Sequence, residues 1–147
     1  MENRHLFRGK TDDGRWVQGA ALWHDNGLVT IFNQHPADGT LQGFEVDPES
    51  VCQCTGLKDK NDNLIWEKDI VRFDVYKWDK LVSSVISDIS WCDDLCALSV
   101  TVNHTRTKGT LGHFLEFNKE AEVIGNTIDN PELLSELNRE DDYDMER

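Results

Sequence analysis

No run of apolar residues approaches the ~20 that a helix needs to cross a bilayer, and the opening MENRHLFRGK lacks the continuous apolar core of a signal peptide. A cytoplasmic location is therefore expected. Cysteine is sparse, four in 147 residues, which in a cytosolic chain points to reduced thiols rather than a disulfide framework. Catalytic signatures are missing: there is no G-x-S-x-G elbow, no H-E-x-x-H, no phosphate-cradling P-loop and no G-x-G-x-x-G. The five histidines (His5, His24, His35, His104 and His113) do not cluster with a nucleophile. No enzymatic activity, catalytic residue or cofactor is expected. Internal repeats, low-complexity segments and heptads long enough for a coiled coil are also lacking.

Positive charge is scarce. Fifteen Lys and Arg stand against 28 Asp and Glu, a net charge of -13. Residues 129 to 147 hold eight acids and two arginines, a net of -6 that leaves -7 for residues 1 to 128. Acidity is thus a property of the whole chain, not only of its tail. Such a surface repels phosphate, which disfavours direct binding of nucleic acid or an anionic membrane. Only Lys58, Lys60, Lys68 and Arg72 cluster, and Asp59, Asp62, Glu67 and Asp69 lie among them. The charge serves solubility on the plain reading. On the sharper one, it presents an acidic face to a basic protein and occupies a nucleic-acid site there.

What the sequence does contain is enough for a core. Hydrophobic residues make up 38% of the chain and include five tryptophans, and 147 residues is the size of one domain. Asp13-Gly14 separates two short alternating runs, and Asp25-Asn26-Gly27 separates AALWH from LVTIFNQ, so the early chain reads as a β-meander. His35 to Gly39 is a loop. Val46 to Ser50 is a second break, where Asp47 or Ser50 caps a single helical turn. Beyond Cys52 the period is again close to two: Leu64 to Trp66 and Asp69 to Phe73 flank Glu67-Lys68, Val82 to Trp91 is rich in β-branched residues, and Cys96, Leu98, Val100 and Val102 form an apolar row. Val123 to Ile128 reads as a last strand. Asn130-Pro131-Glu132 then starts a short helix, with asparagine as its cap and Leu133, Leu134 and Leu137 on one stripe, before the acidic end EDDYDMER.

Two metal readings arise in the stretch CQCTGLKDKNDNLIWEKDIV. Asp59, Asn61 and Asn63 imitate the start of a calcium loop, but the glycine and the bidentate glutamate such a loop needs are replaced by Leu64 and Ile70. Lys60 to Asn63 is better read as a hairpin turn. Cys52-x-Cys54 with Cys92-x3-Cys96 has poor spacing for zinc knuckles; on a strand Cys52 and Cys54 share one face as small buried hydrophobes. No metal site is expected. Trp66-Glu67-Lys68-Asp69, the remaining acid-base candidate, reads as a tight turn with solvated charges. Trp16, Trp66 and Trp91 are expected to be largely buried, whereas Trp23 and Trp78 are candidates for a binding surface.

Several motifs follow one another in order: Phe7-Arg8-Gly9-Lys10 with Asp13-Gly14-x-Trp16-Val17-x-Gly19, Val46-Asp47-Pro48-Glu49, Gln53-x-Thr55-Gly56-Leu57-Lys58-Asp59-Lys60-Asn61, Ile65-x-Glu67-x-Asp69-Ile70-Val71, and Glu122-Val123-Ile124-Gly125-Asn126 with Asn130-Pro131-Glu132-Leu133-Leu134. Their order and spacing resemble the YopX family of phage and prophage proteins. The likeness runs from residue 7 to about 134 and is weakest over 74 to 118. It implies a mainly β fold: one domain over residues 1–128, with an N-terminal meander over about 1–50 and a small SH3-like β-barrel over about 51–128, then a short C-terminal helix and acidic tail over 129–147. Homo-oligomers are also among its implications, and no catalytic or cofactor residue is transferred by it. Glycine is usual in the family where this chain has Asp62 and Lys68, so both turns are expected to hold left-handed geometry with costlier residues.

The functional expectation is a non-enzymatic, phage-encoded protein in the cytoplasm of a bacterial host, binding a host protein through Trp23, Trp78, Glu140, Asp141, Asp142 and Asp144. A nucleic-acid enzyme or defence complex is the sharpest form of that target. The alternative is a small anionic ligand such as a nucleotide, held by Lys58, Lys60, Arg72 and Trp78 at an oligomer interface.

Overall fold

The structure is a computed structural model that describes residues 2–93, 96–102, 107–112, 115 and 120–134. It is mainly β and antiparallel, and it divides into two compact units at Gly56/Leu57, inside a strand.

The first unit is built from β1 (Phe7–Lys10), β2 (Trp16–Trp23), β3 (Val29–Gln34), β4 (Leu41–Val46) and the start of β5 (Cys52–Lys58). Their order across the sheet is β4-β3-β2-β1-β5. The expected turns all form, because Gly14, Gly27 and Gly39 take the positive φ that such loops need. Between β4 and β5 a 3-10 turn, Pro48–Ser50, is capped by Asp47, whose carboxylate accepts the Glu49 N–H at 3.0 Å.

β2 serves two partners in succession. Trp16 to Gly19 pair with β1, and Ala20 to Trp23 pair with β3. The bend between those halves rolls the sheet so that β4 comes over β1. A Cβ on Gly9 would stand 2.8 Å from the Val46 Cβ, and the Asp47 N–H donates to the Lys10 carbonyl at 2.8 Å. Val17, Val29, Ile31 and Val46 fill the inside of this roll, with Phe7, Ala21, Phe44 and Val51 against them.

In the second unit the end of β5 turns back into β6 (Leu64–Trp66). β7 (Asp69–Lys77) and β8 (Lys80–Asp88) form the longest hairpin, and β12 (Glu122–Asn126) pairs with the other edge of β7. β9 (Ser90–Cys92), β10 (Ala97–Val102) and β11 (Thr107–Thr110) make a second three-stranded sheet. Among the described residues these strands form two open sheets, not a closed barrel. Both contribute to one core: Val71 and Phe73 from β7, Val100 from β10, with Ile65, Ile89, Leu111 and Ala121. Each of the larger side chains in this core, Ala121 apart, stabilises the fold by roughly 1.5–3 kcal/mol on burial.

Several expectations are corrected here. Trp66 is buried and Trp16 half-buried, but Trp91 is 56% exposed. Alternation along β9 decides this, because Cys92 points inward and Trp91 therefore outward, where its Nε1 donates to Asp93 at 2.9 Å. The charges of the Glu67-Lys68 turn are not all solvated either. Asp69 is buried and accepts the Trp66 N–H at 2.7 Å. The helical turn begins at Glu132, directly after Pro131, and the Asn130 side chain faces backward, accepting from the Asn126 N–H at 3.3 Å, while its carbonyl accepts the Leu133 N–H at 3.1 Å. Leu137, the last member of the expected stripe, lies outside the described residues. Asp62 and Lys68 do adopt left-handed backbone, with φ of 64° and 67°.

The bend at Gly19 yields the sharpest test of the first unit. A Cβ there would sit 1.9 Å from the Phe32 carbonyl oxygen, a backbone atom that cannot swing aside. Gly19→Ala is expected to cost about 3 kcal/mol or more in urea unfolding, whereas Gly112→Ala, with open space around it, changes stability by less than about 0.5 kcal/mol.

Candidate functional site

The signature stretch builds its structure around one carboxylate. Asp59 sits at the end of β5 and is buried. Its Oδ1 accepts the N–H groups of Asn61 and Asn63, both at 2.9 Å, and its Oδ2 accepts the N–H of Val123 at 3.0 Å. Backbone bonds reinforce the same junction, from Asp59 N–H to the Asn63 carbonyl at 2.9 Å and from Lys60 N–H to the Ala121 carbonyl at 2.8 Å. Both oxygens are thus committed to main-chain donors, and the residue that opens the calcium-like pattern is a turn staple. Among the described residues no three His, Cys, Asp or Glu side chains gather closely enough to hold a metal ion. Cys52 and Cys54 share the buried face of β5, as alternation requires. No disulfide joins the four cysteines.

Next to this staple the basic candidates meet an acid. Glu122 on β12 receives the Arg72 guanidinium at 2.6 Å and lies 3.5 Å from the Lys60 ammonium. Arg72 and Glu122 face each other because β7 and β12 pair at those two residues. Lys58 is exposed at the end of β5. Trp78 is six residues beyond Arg72 along the strand direction, roughly 20 Å at ~3.3 Å per residue. The structure therefore joins Lys60 to Arg72 through Glu122 and sets Trp78 apart from them.

Trp78 is 91% exposed at the tip of the β7–β8 hairpin. Trp23, in the other unit, ends β2 at 55% exposure and makes an edge-to-face contact with Phe7, 5.2 Å between ring centroids. Leu22 and Leu28 are exposed beside the same hairpin turn. Glu140, Asp141, Asp142 and Asp144 lie outside the described residues, as do His104 and His113. His24 and His35 make local contacts: the His24 ring nitrogen is 2.8 Å from the Thr30 hydroxyl, and His35 accepts the Ala37 N–H at 3.1 Å.

The acids of the first unit are placed by its turns. Asp12 and Asp13 lie between β1 and β2, Asp25 between β2 and β3, Asp38 between β3 and β4, and Asp47 and Glu49 between β4 and β5; all are exposed. Carboxylates therefore ring both ends of the roll instead of gathering on one face. Asp13 and Asp38 are held below the ordinary carboxylate range, chiefly by hydrogen bonds from Thr11 and Thr40. They stay charged well into the acid range.

What the sequence reading missed is the inward use of Asp59 and Asp69 and the bridging role of Glu122. A signal existed for the first: an Asp just before a four-residue Asn/Asp turn is positioned to accept the turn's own N–H groups. No local pattern marks the contact with Val123, 64 residues away.

For Asp59, burial is the largest single influence and pushes the carboxyl up, but the N–H groups of Val123, Asn63 and Asn61 together outweigh it and leave the pKa below the usual value. A lowered folded-state pKa stabilises the protein at pH values above the unfolded pKa, near 4, and that contribution is lost as pH falls through the folded value. Asp59→Asn is expected to cost about 1–3 kcal/mol at pH 7, and to flatten the loss of stability below about pH 4. Urea unfolding of both proteins from pH 7 to pH 2.5 measures this.

The profile of the family described as YopX protein matches residues 6–135. No curated protein matches the chain.

Proposed function

The chain belongs to the YopX family, and from that premise we propose that it is a non-enzymatic, phage-type interaction protein that binds a basic protein of the bacterial host. A nucleic-acid enzyme or a defence complex is the target class, and the carboxylates stand in for phosphate. The observation that carries this reading is the division of labour among the charges. Among the described residues, the two buried acids, Asp59 and Asp69, accept backbone N–H groups, while exposed acids occupy every connection of the first unit. Among the cations, Lys60 and Arg72 share Glu122, so the surface offered to a partner is dominated by carboxylate. Glu140, Asp141, Asp142 and Asp144, outside the described residues, belong to this reading by their charge in the sequence.

The alternative of a nucleotide held by Lys58, Lys60, Arg72 and Trp78 has weaker support, since Glu122 already neutralises two of the four and Trp78 is distant along the strand. The site of action in this reading is the host cytoplasm; among the described residues no helix is long and apolar enough to cross a membrane. Self-association of the chain is compatible with it.

The reading also includes a small SH3-like barrel. Over residues 57–128 the support is the single core shared by two three-stranded sheets.

Attraction between exposed charges is screened over ~8 Å at physiological ionic strength. In a pull-down from host lysate the full chain is expected to retain a host protein at about 50 mM salt and release most of it by about 500 mM. Deleting residues 135–147 is expected to weaken retention without abolishing it. Failure to retain any host protein at low salt overturns the reading.

A further inference from the structure

The β7–β8 hairpin closes on the pair Lys77 and Lys80, so its loop is only two residues, Trp78 and Asp79. Both have left-handed backbone, φ 56° and 62°. Such a turn matches the twist of the strands and favours Asn-Gly or Gly-Gly, because a side chain with positive φ crowds its own backbone. A tryptophan there is costly twice over, since it strains the chain and exposes an aromatic ring of which burial hides only 9%. Neither turn chemistry nor core packing accounts for it. The tip also differs in charge from the rest of the molecule: two lysines and one aspartate give +1 in a chain of -13.

We propose that Trp78 is an anchor by which the β7–β8 hairpin enters an apolar socket with a carboxylate rim on the host protein partner. This rests on the reading of the chain as a protein-binding module and adds a second contact of opposite charge to the acidic one. Aromatic anchors in desolvated pockets supply most of the affinity of many interfaces, and tryptophan is enriched among them. A rim of carboxylates complements the exposed Lys80 and the net positive charge of the tip sequence. Single-stranded nucleic acid is disfavoured as the occupant, because stacking a base on Trp78 draws phosphates toward a strongly acidic chain whose Lys60 and Arg72 are already held by Glu122. An anionic bilayer meets the same repulsion, and so does a second copy of the chain.

The test uses the full chain with the photocrosslinker p-benzoylphenylalanine at position 78 and, as a control, at the exposed position 91, irradiated inside host cells. The expected result is a dominant adduct with one host protein from position 78 and little or none from position 91. That protein, once purified, is expected to bind the double variant Trp78→Asn with Asp79→Gly at least about thirty-fold more weakly than wild type. The same variant is expected to melt roughly 2–5 °C higher, since relief of turn strain stabilises the hairpin. Equal binding within about two-fold, a lower melting temperature, or a dominant adduct with nucleic acid or a second copy overturns the proposal. No adduct from position 78 while wild type retains a host protein at low salt overturns the anchor alone; a wild type that retains nothing overturns the protein-binding reading as well.

Discussion

The second unit is organised around the carboxylate of Asp59. A charged group withdrawn from water is tolerated only where donors replace its hydration. Here the donors are three main-chain N–H groups, two from the turn it precedes and one from β12. Because β12 pairs with β7, and β7 with β8, this single group ties the β5–β6 hairpin to a three-stranded sheet whose strand β12 lies 64 residues further along the chain. The adjoining Lys60, Arg72 and Glu122 contacts act on the same seam, half-exposed and so of smaller weight.

Turns in this protein do more than reverse the chain. The Glu67-Lys68 turn is held from both sides, its Lys68 N–H donating to the Ile89 carbonyl at 2.7 Å and its Lys68 carbonyl accepting from Thr127 at 2.8 Å. That mesh explains how a lysine is kept at a positive φ in place of a glycine: several bonds across the chain over-determine the conformation. The Trp78-Asp79 turn has comparable backbone geometry at the exposed tip of the β7–β8 hairpin.

Much of the architecture was legible because period-two patterns and turn residues act locally. The hairpins at Gly14, Gly27 and Gly39, the capped turn after Asp47, and the shared inner face of Cys52 and Cys54 all follow from neighbours in sequence. Burial of individual tryptophans was less legible. Alternation says that Trp91 and Cys92 point to opposite faces, but which face is the inside depends on the strand paired alongside, and β10 settles it. The charges of the Glu67-Lys68 turn were read as solvated, but the Asp69 carboxylate turns inward and accepts the Trp66 N–H three residues before it, and Asp59 gains a donor from Val123 that no neighbour in sequence announces.

The amino-acid sequence by itself determined the β class, the hairpin positions, the strongly acidic balance and the family, because each is a matter of local stereochemistry, composition or residue order. Tertiary structure alone decided how those parts are used. It bent β2 at Gly19, paired Arg72 with Glu122, turned Asp59 toward Val123 and left Trp78 in solvent. Such outcomes depend on groups brought together across tens of residues, and closing those distances is governed by the packing of the whole core, not by any segment taken alone.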